Sequence, residues 1–241
     1  MEERITKHTA VQTILLHLLP GVMIAIVYFA FTPVFLHLGF PNSANILDAI
    51  LAMVPIQLGI LLFVTKRKTG TYNIRSQIPY LEKSRLKDYL IFIPLLAVWA
   101  ILVSAVLTPV EHSLRDSLFA FIPSEFMIGN YDISDYSNDK IIITSILLLI
   151  FNGIVAPFVE EIYFRGYLLP RINMSSNKAV VVNAILFSLY HFFSPWYFLS
   201  RVLMTIPLYY LVAKKQNIRL SIIAHTVANC IASLSILFSL A

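Results

Sequence analysis

The chain has 241 residues and a formal net charge of +5, yet 58% of it is hydrophobic, 13% is charged and its mean hydropathy is +0.78. Those values exclude a soluble globular protein, and the basic residues flank apolar runs without forming a patch, which argues against a nucleic-acid partner. A single cysteine, Cys230, excludes a disulfide framework and a cysteine-rich zinc site.

The apolar runs are roughly 18 to 25 residues long and continuous, so spanning helices are predicted rather than the alternating strands of a barrel. Seven spans follow in chain order: 11–38, 46–64, 89–110, 141–159, 179–193, 196–213 and 220–240. The fold class is therefore all-α, a polytopic transmembrane helical bundle of about seven to eight spans, with 1–241 as one domain. The first run is longer than a signal-peptide core and lacks a small-residue cleavage site, so it is read as an uncleaved span. Pro20 and Pro33 predict a kink or an early end to it. The fifth run is short for a lipid-facing helix and is expected to be buried in the bundle.

Loop charge orients the spans. Lys66, Arg67, Lys68, Arg75, Lys83, Arg85 and Lys87 follow span two, so that loop is placed in the cytoplasm. Alternation then puts Glu111, Asp116, Glu125, Asp132, Asp135 and Asp139 outside, and Arg165, Arg171, Lys178, Lys214, Lys215 and Arg219 inside. The N-terminus is expected in the cytoplasm and the C-terminus outside, in a multi-pass protein of the cell membrane.

Ionisable groups within apolar helices cost several kcal/mol by insertion estimates, so they usually face a protein interior or a wet cavity. The densest cluster is Val159-Glu160-Glu161-Ile162-Tyr163-Phe164-Arg165-Gly166. Glu161 and Arg165 are four apart in the favourable order for a helical ion pair, while Glu160 points about 100° away. A lone His191 ends the fifth run. His225 and Asn229 lie one turn apart on one face of the last span. Read singly, each has a structural alternative: acids at the membrane edge, an interfacial histidine, a hydrogen bond between helices. Depth joins them, because a turn near 173–177 leaves Glu160 and His191 roughly 20 Å along their arms, and His225 lies about 9 Å inside the same edge. A cavity open to the cytoplasmic side would then hold a carboxylate, two imidazoles and an amide. His17, Asp48, Gln57 and Arg201 are too scattered for a transport path; His17 is expected to be a satisfied bundle histidine, Asp48 to mark the outer edge and Arg201 to snorkel outward.

The order E-E-x-x-x-R, F-x-x-x-H, H-x-x-x-N on successive spans resembles the CAAX prenyl-protease and bacteriocin-processing family (CPBP, also called Abi) of intramembrane endopeptidases, over about 152–240. The resemblance implies Glu160 and His191 as a catalytic pair, His225 and Asn229 as supporting residues, and Glu161 with Arg165 as a structural ion pair. The implied activity is hydrolysis of a peptide bond in a membrane-associated peptide or lipidated protein. Glu160 and His191 would activate a water, and His225 and Asn229 would stabilise the oxyanion. A zinc-dependent version would use Glu160, His191 and His225 as ligands, although no H-E-x-x-H pair is present; the metal-free version is favoured. A non-catalytic membrane scaffold or bacteriocin-immunity protein is the alternative from another class.

Overall fold

The computed structural model describes residues 5–128 and 136–238. Seven long helices are found there: α1 (Ala10–His37), α2 (Asn45–Thr69), α3 (Leu86–Asp116), α4 (Asn138–Arg171), α5 (Ser176–Leu189), α6 (Phe198–Lys215) and α7 (Ile218–Phe238). Each overlaps a predicted span, and α1, α2, α3, α4 and α6 are long and apolar enough to cross a bilayer. The chain is an all-α polytopic membrane bundle. The predicted end of span seven at 240, the loop acids Asp132 and Asp135, and residues 1–4 lie outside the described residues.

Burial is arranged for lipid. His17, Gln57, Glu161, Arg165 and Asn183 are fully buried, whereas Ile26, Leu95, Val106 and other large apolar side chains lie on the surface. In hydrocarbon the interior is where polar groups find partners. The predicted burial of the fifth span holds on one face only. Asn183, Ala184 and Phe187 of α5 are buried, but Val181 and Leu189 are exposed.

Helix α1 starts at a capping box, in which Gln12 N–H donates to Thr9 Oγ1 and Thr9 N–H to Gln12 Oε1. It then runs through both prolines without ending early. Pro20 has no N–H for the carbonyl of Leu16, one turn back, and the Tyr163 hydroxyl donates to that oxygen at 2.6 Å instead. The same device recurs in α6. Pro207 leaves the Leu203 carbonyl without its helical partner, and the Trp99 indole N–H donates to it at 2.9 Å. Proline-freed carbonyls thus fasten α1 to α4 and α3 to α6.

Four connecting segments gather at one end of the bundle. His8 N–H donates to the Arg171 carbonyl, Arg171 donates to the Gln77 carbonyl and side chain, and Glu82 N–H donates to the Gln216 carbonyl. Lys215 pairs with Asp88 at 3.1 Å. The N-terminal segment and the connections after α2, α4 and α6 therefore share one face, as the alternating topology requires. At the other end Asn45 donates to the Glu125 carbonyl and Tyr136 to Asn42.

Candidate active site

Helix α4 carries the two glutamates and is not a uniform α-helix. It passes through π-type turns at Phe151–Val155 and Glu161–Leu168, on either side of the α-helical turn Ala156–Glu160. Pro157 explains the first. Its ring lacks an N–H and crowds the preceding turn, and the wider i→i+5 turn relieves that crowding. Ala156 N–H bonds to the Phe151 carbonyl, and the next acceptor, Asn152 O, would need an N–H that Pro157 lacks. The Asn229 amide of α7 donates to this orphaned oxygen at 2.9 Å.

Glu160 and Glu161 both border one cavity of about 310 Å³, together with Arg165, Tyr190, His191, His225 and Asn229. All six residues singled out in the sequence thus converge. Glu160 is 3.8 Å from His191 Nε2 through Oε1 and 3.9 Å from His225 Nε2 through Oε2. Each ring is held from behind. His191 Nδ1 donates to the Phe187 carbonyl at 2.9 Å, and His225 Nδ1 donates to Glu161 Oε1 at 2.9 Å. With Nδ1 occupied in both, each ring turns its Nε2 toward Glu160.

The expected Glu161–Arg165 pair is present, with Nε and Oε2 3.2 Å apart and both side chains fully buried. The guanidinium lies between the Phe187 and Tyr209 rings, 3.9 and 3.7 Å from their centroids, so π faces complement the carboxylate. Glu161 is therefore shared between Arg165 and His225, which adds to the purely structural pairing expected for it.

Several participants escaped the sequence reading. Tyr190 donates its hydroxyl to Glu160 Oε1 at 2.5 Å, and Gln57 of α2 reaches the same hydroxyl at 3.5 Å. Tyr190 adjoins His191, and a phenol inside an apolar run was the available signal. Arg201 does not snorkel outward: it borders the cavity and donates to the carbonyl and hydroxyl of Ser194. Asp48 stands in the first turn of α2, at the end opposite the basic connections, and is buried. His17 is the satisfied histidine expected, bonded to the Thr13 carbonyl and to Asn183. Cys230 packs against Gly153, where an added Cβ would meet its sulfur at 2.9 Å.

The cavity reaches toward the end of the bundle opposite the basic connections. Its walls include Ile46, Ala49 and Ile50 from the first turns of α2 and Arg201, Met204 and Thr205 from the first half of α6. Those helix ends border the connections opposite the basic face.

Residues 142–231 match the family model described as type II CAAX prenyl endopeptidase Rce1-like. The resemblance read from the motifs stands. This Rce1-like segment contains all six residues singled out, and also Tyr190 and Arg201. The UPF0177 protein YxdF of Lactococcus lactis subsp. lactis (strain IL1403) is 30% identical over 77 residues, 32% of this chain and 43% of that protein. The match thus spans less than half of that relative. No solved structure matches the chain.

Zinc would need a tighter set in the Rce1-like segment. Bonds of about 2.0–2.1 Å give a tetrahedral ligand–ligand edge of about 3.3–3.4 Å. The two histidine–glutamate separations exceed that, and no group of three His, Cys, Asp or Glu among the described residues is arranged to hold a metal ion. The geometry does not fit a zinc site.

Proposed function

We propose that this chain is an intramembrane endopeptidase that hydrolyses a peptide bond of a membrane-associated substrate with a water activated at Glu160. One observation carries this reading: two imidazole Nε2 atoms lie 3.8 and 3.9 Å from one buried carboxylate, each ring pinned through Nδ1. Those gaps exceed a direct hydrogen bond and suit groups that share a third polar atom.

In this mechanism Tyr190 occupies Oε1 of Glu160 and leaves Oε2 as the basic atom. The carboxylate takes a proton from water while His191 Nε2 accepts the second hydrogen bond and fixes the attack direction. The new C–O bond converts the carbonyl oxygen to an oxyanion. His225 stabilises it only as an imidazolium, because its Nδ1 proton is committed to Glu161. The second N–H of the Asn229 amide is the other donor. Collapse breaks the C–N bond, and the proton held by Glu160 passes to the departing amine.

The test uses purified full-length protein in nanodiscs with a library of apolar peptides. Glu160→Gln and His191→Ala are expected to lower turnover about 10²–10⁴-fold, the range of acid–base catalysis, with little change in thermal midpoint. Full activity in either variant rejects the assignment. Turnover is expected to survive a chelator, and its loss with recovery on added zinc would restore the metal version. A wild-type protein that binds peptides without cutting them would be the scaffold instead.

A further inference from the structure

The cavity holds two guanidinium groups with unlike surroundings. Arg165 is sealed: its Nε, NH1 and NH2 have no solvent access, and Glu161 neutralises it. Arg201 has no carboxylate within 4.0 Å among the described residues, although Glu160 and Glu111 lie within its electrostatic surroundings. Its position is nonetheless fixed. NH1 donates to the Ser194 carbonyl at 2.9 Å, NH2 to the Ser194 hydroxyl at 2.5 Å, and the Tyr197 ring lies 5.4 Å from the guanidinium carbon.

Two of five N–H donors are thereby used, and Nε is not among the sealed, unpartnered atoms. A preorganised cation with unused donors thus borders a largely apolar cavity. Such a group is costly to bury unpaired, and the ligand that best compensates it is an anion with paired oxygens. Arg201 also lies toward the end of the cavity that borders the non-basic connections, with Glu160 deeper in. An extended chain entering from that end meets Arg201 before it reaches the carboxylate.

We propose that Arg201 anchors a carboxylate of the bound peptide and so selects where the chain is cut. This rests on the endopeptidase reading above for its consequence, though the anchor itself is a binding site. The carboxylate has two sources, a free C-terminus or an Asp or Glu side chain, and both use the same guanidinium donors.

The experiment presents one randomised apolar peptide library in two forms, free acid and C-terminal amide, to immobilised full-length Glu160→Gln protein. Retained peptides are read by mass spectrometry. Peptides bearing a carboxylate should be enriched about tenfold over those lacking one, the worth of one charge-assisted hydrogen bond. Enrichment confined to the free-acid form identifies the terminus, and enrichment of Asp or Glu within the amide form identifies a side chain; either supports the anchor. The preference should fall to about one in the Glu160→Gln/Arg201→Gln protein and return in part with Arg201→Lys. Equal capture of both forms without acidic enrichment overturns the proposal, as does a preference that survives Arg201→Gln. Retained peptides are then offered to wild-type protein. Failure to cut them would reject the endopeptidase reading while leaving the anchor in place.

Discussion

In the proposed mechanism Asn229 does two jobs with one amide. Its bond to the Asn152 carbonyl compensates a defect that Pro157 creates, so its removal should affect folding before chemistry is considered. Asn229→Ala is expected to destabilise the protein by about 1–3 kcal/mol, the cost of a buried acceptor left without a donor. In a Pro157→Ala background residue 157 regains an N–H, and the same Asn229→Ala change should cost less. Thermal denaturation in detergent of the four proteins of that cycle measures the coupling, and additive losses would contradict it. Helical spacing was enough to put His225 and Asn229 on one face, and the depth argument was enough to bring Glu160 to His191. It could not reveal what Asn229 binds, because an i→i+5 turn leaves no periodic mark on the sequence. Tyr190 was missed and Arg201 misplaced for a related reason: whether a polar tip turns inward depends on partners that helical spacing does not reveal, Glu160 of α4 for one and Ser194 of the preceding connection for the other.

At the scale of helices, α1 and α2 contain no family motif, yet they set the site's dimensions. Gly21 of α1 lies against the backbone of Tyr190, so closely that an added Cβ would stand 2.1 Å from its carbonyl oxygen. Backbone meets backbone there, and neither can rotate away. Gly21→Ala should push the end of α5 outward with Tyr190 and His191, lowering turnover and costing about 1–3 kcal/mol through overpacking. Gly59→Ala, with open space around it, is the control expected to keep both turnover and thermal midpoint. An unchanged kcat in Gly21→Ala would deny α1 this positioning role. The helices themselves were legible, since long apolar runs in lipid have few other solutions. The persistence of α1 through Pro20 was not, because the Leu16 carbonyl that Pro20 frees takes its hydrogen bond from Tyr163, 147 residues from Leu16.

For the molecule as a whole, the gathered connections at the basic end predict a pH response outside the membrane spans. His8 is buried there, and burial, aided by the Arg171 and Lys68 charges, pushes its pKa down to about 4. The unfolded chain takes up that proton near pH 6.5 and the folded one does not. Stability from this group is therefore complete above pH 6.5 and is lost as pH falls toward 4, by about 1–3 kcal/mol. The fall in thermal midpoint between pH 7 and pH 4.5 should be smaller in His8→Phe, and identical profiles would remove His8 from the account. The bond from His225 to Glu161 bears on how the protein is made, because it joins residues 64 positions apart. At about 5–20 residues per second the ribosome needs about 3–13 s to supply that partner. Arg165, four residues on, is made almost at once. During biogenesis the nascent acid thus has an early chaperone in its own helix, long before the last helix emerges.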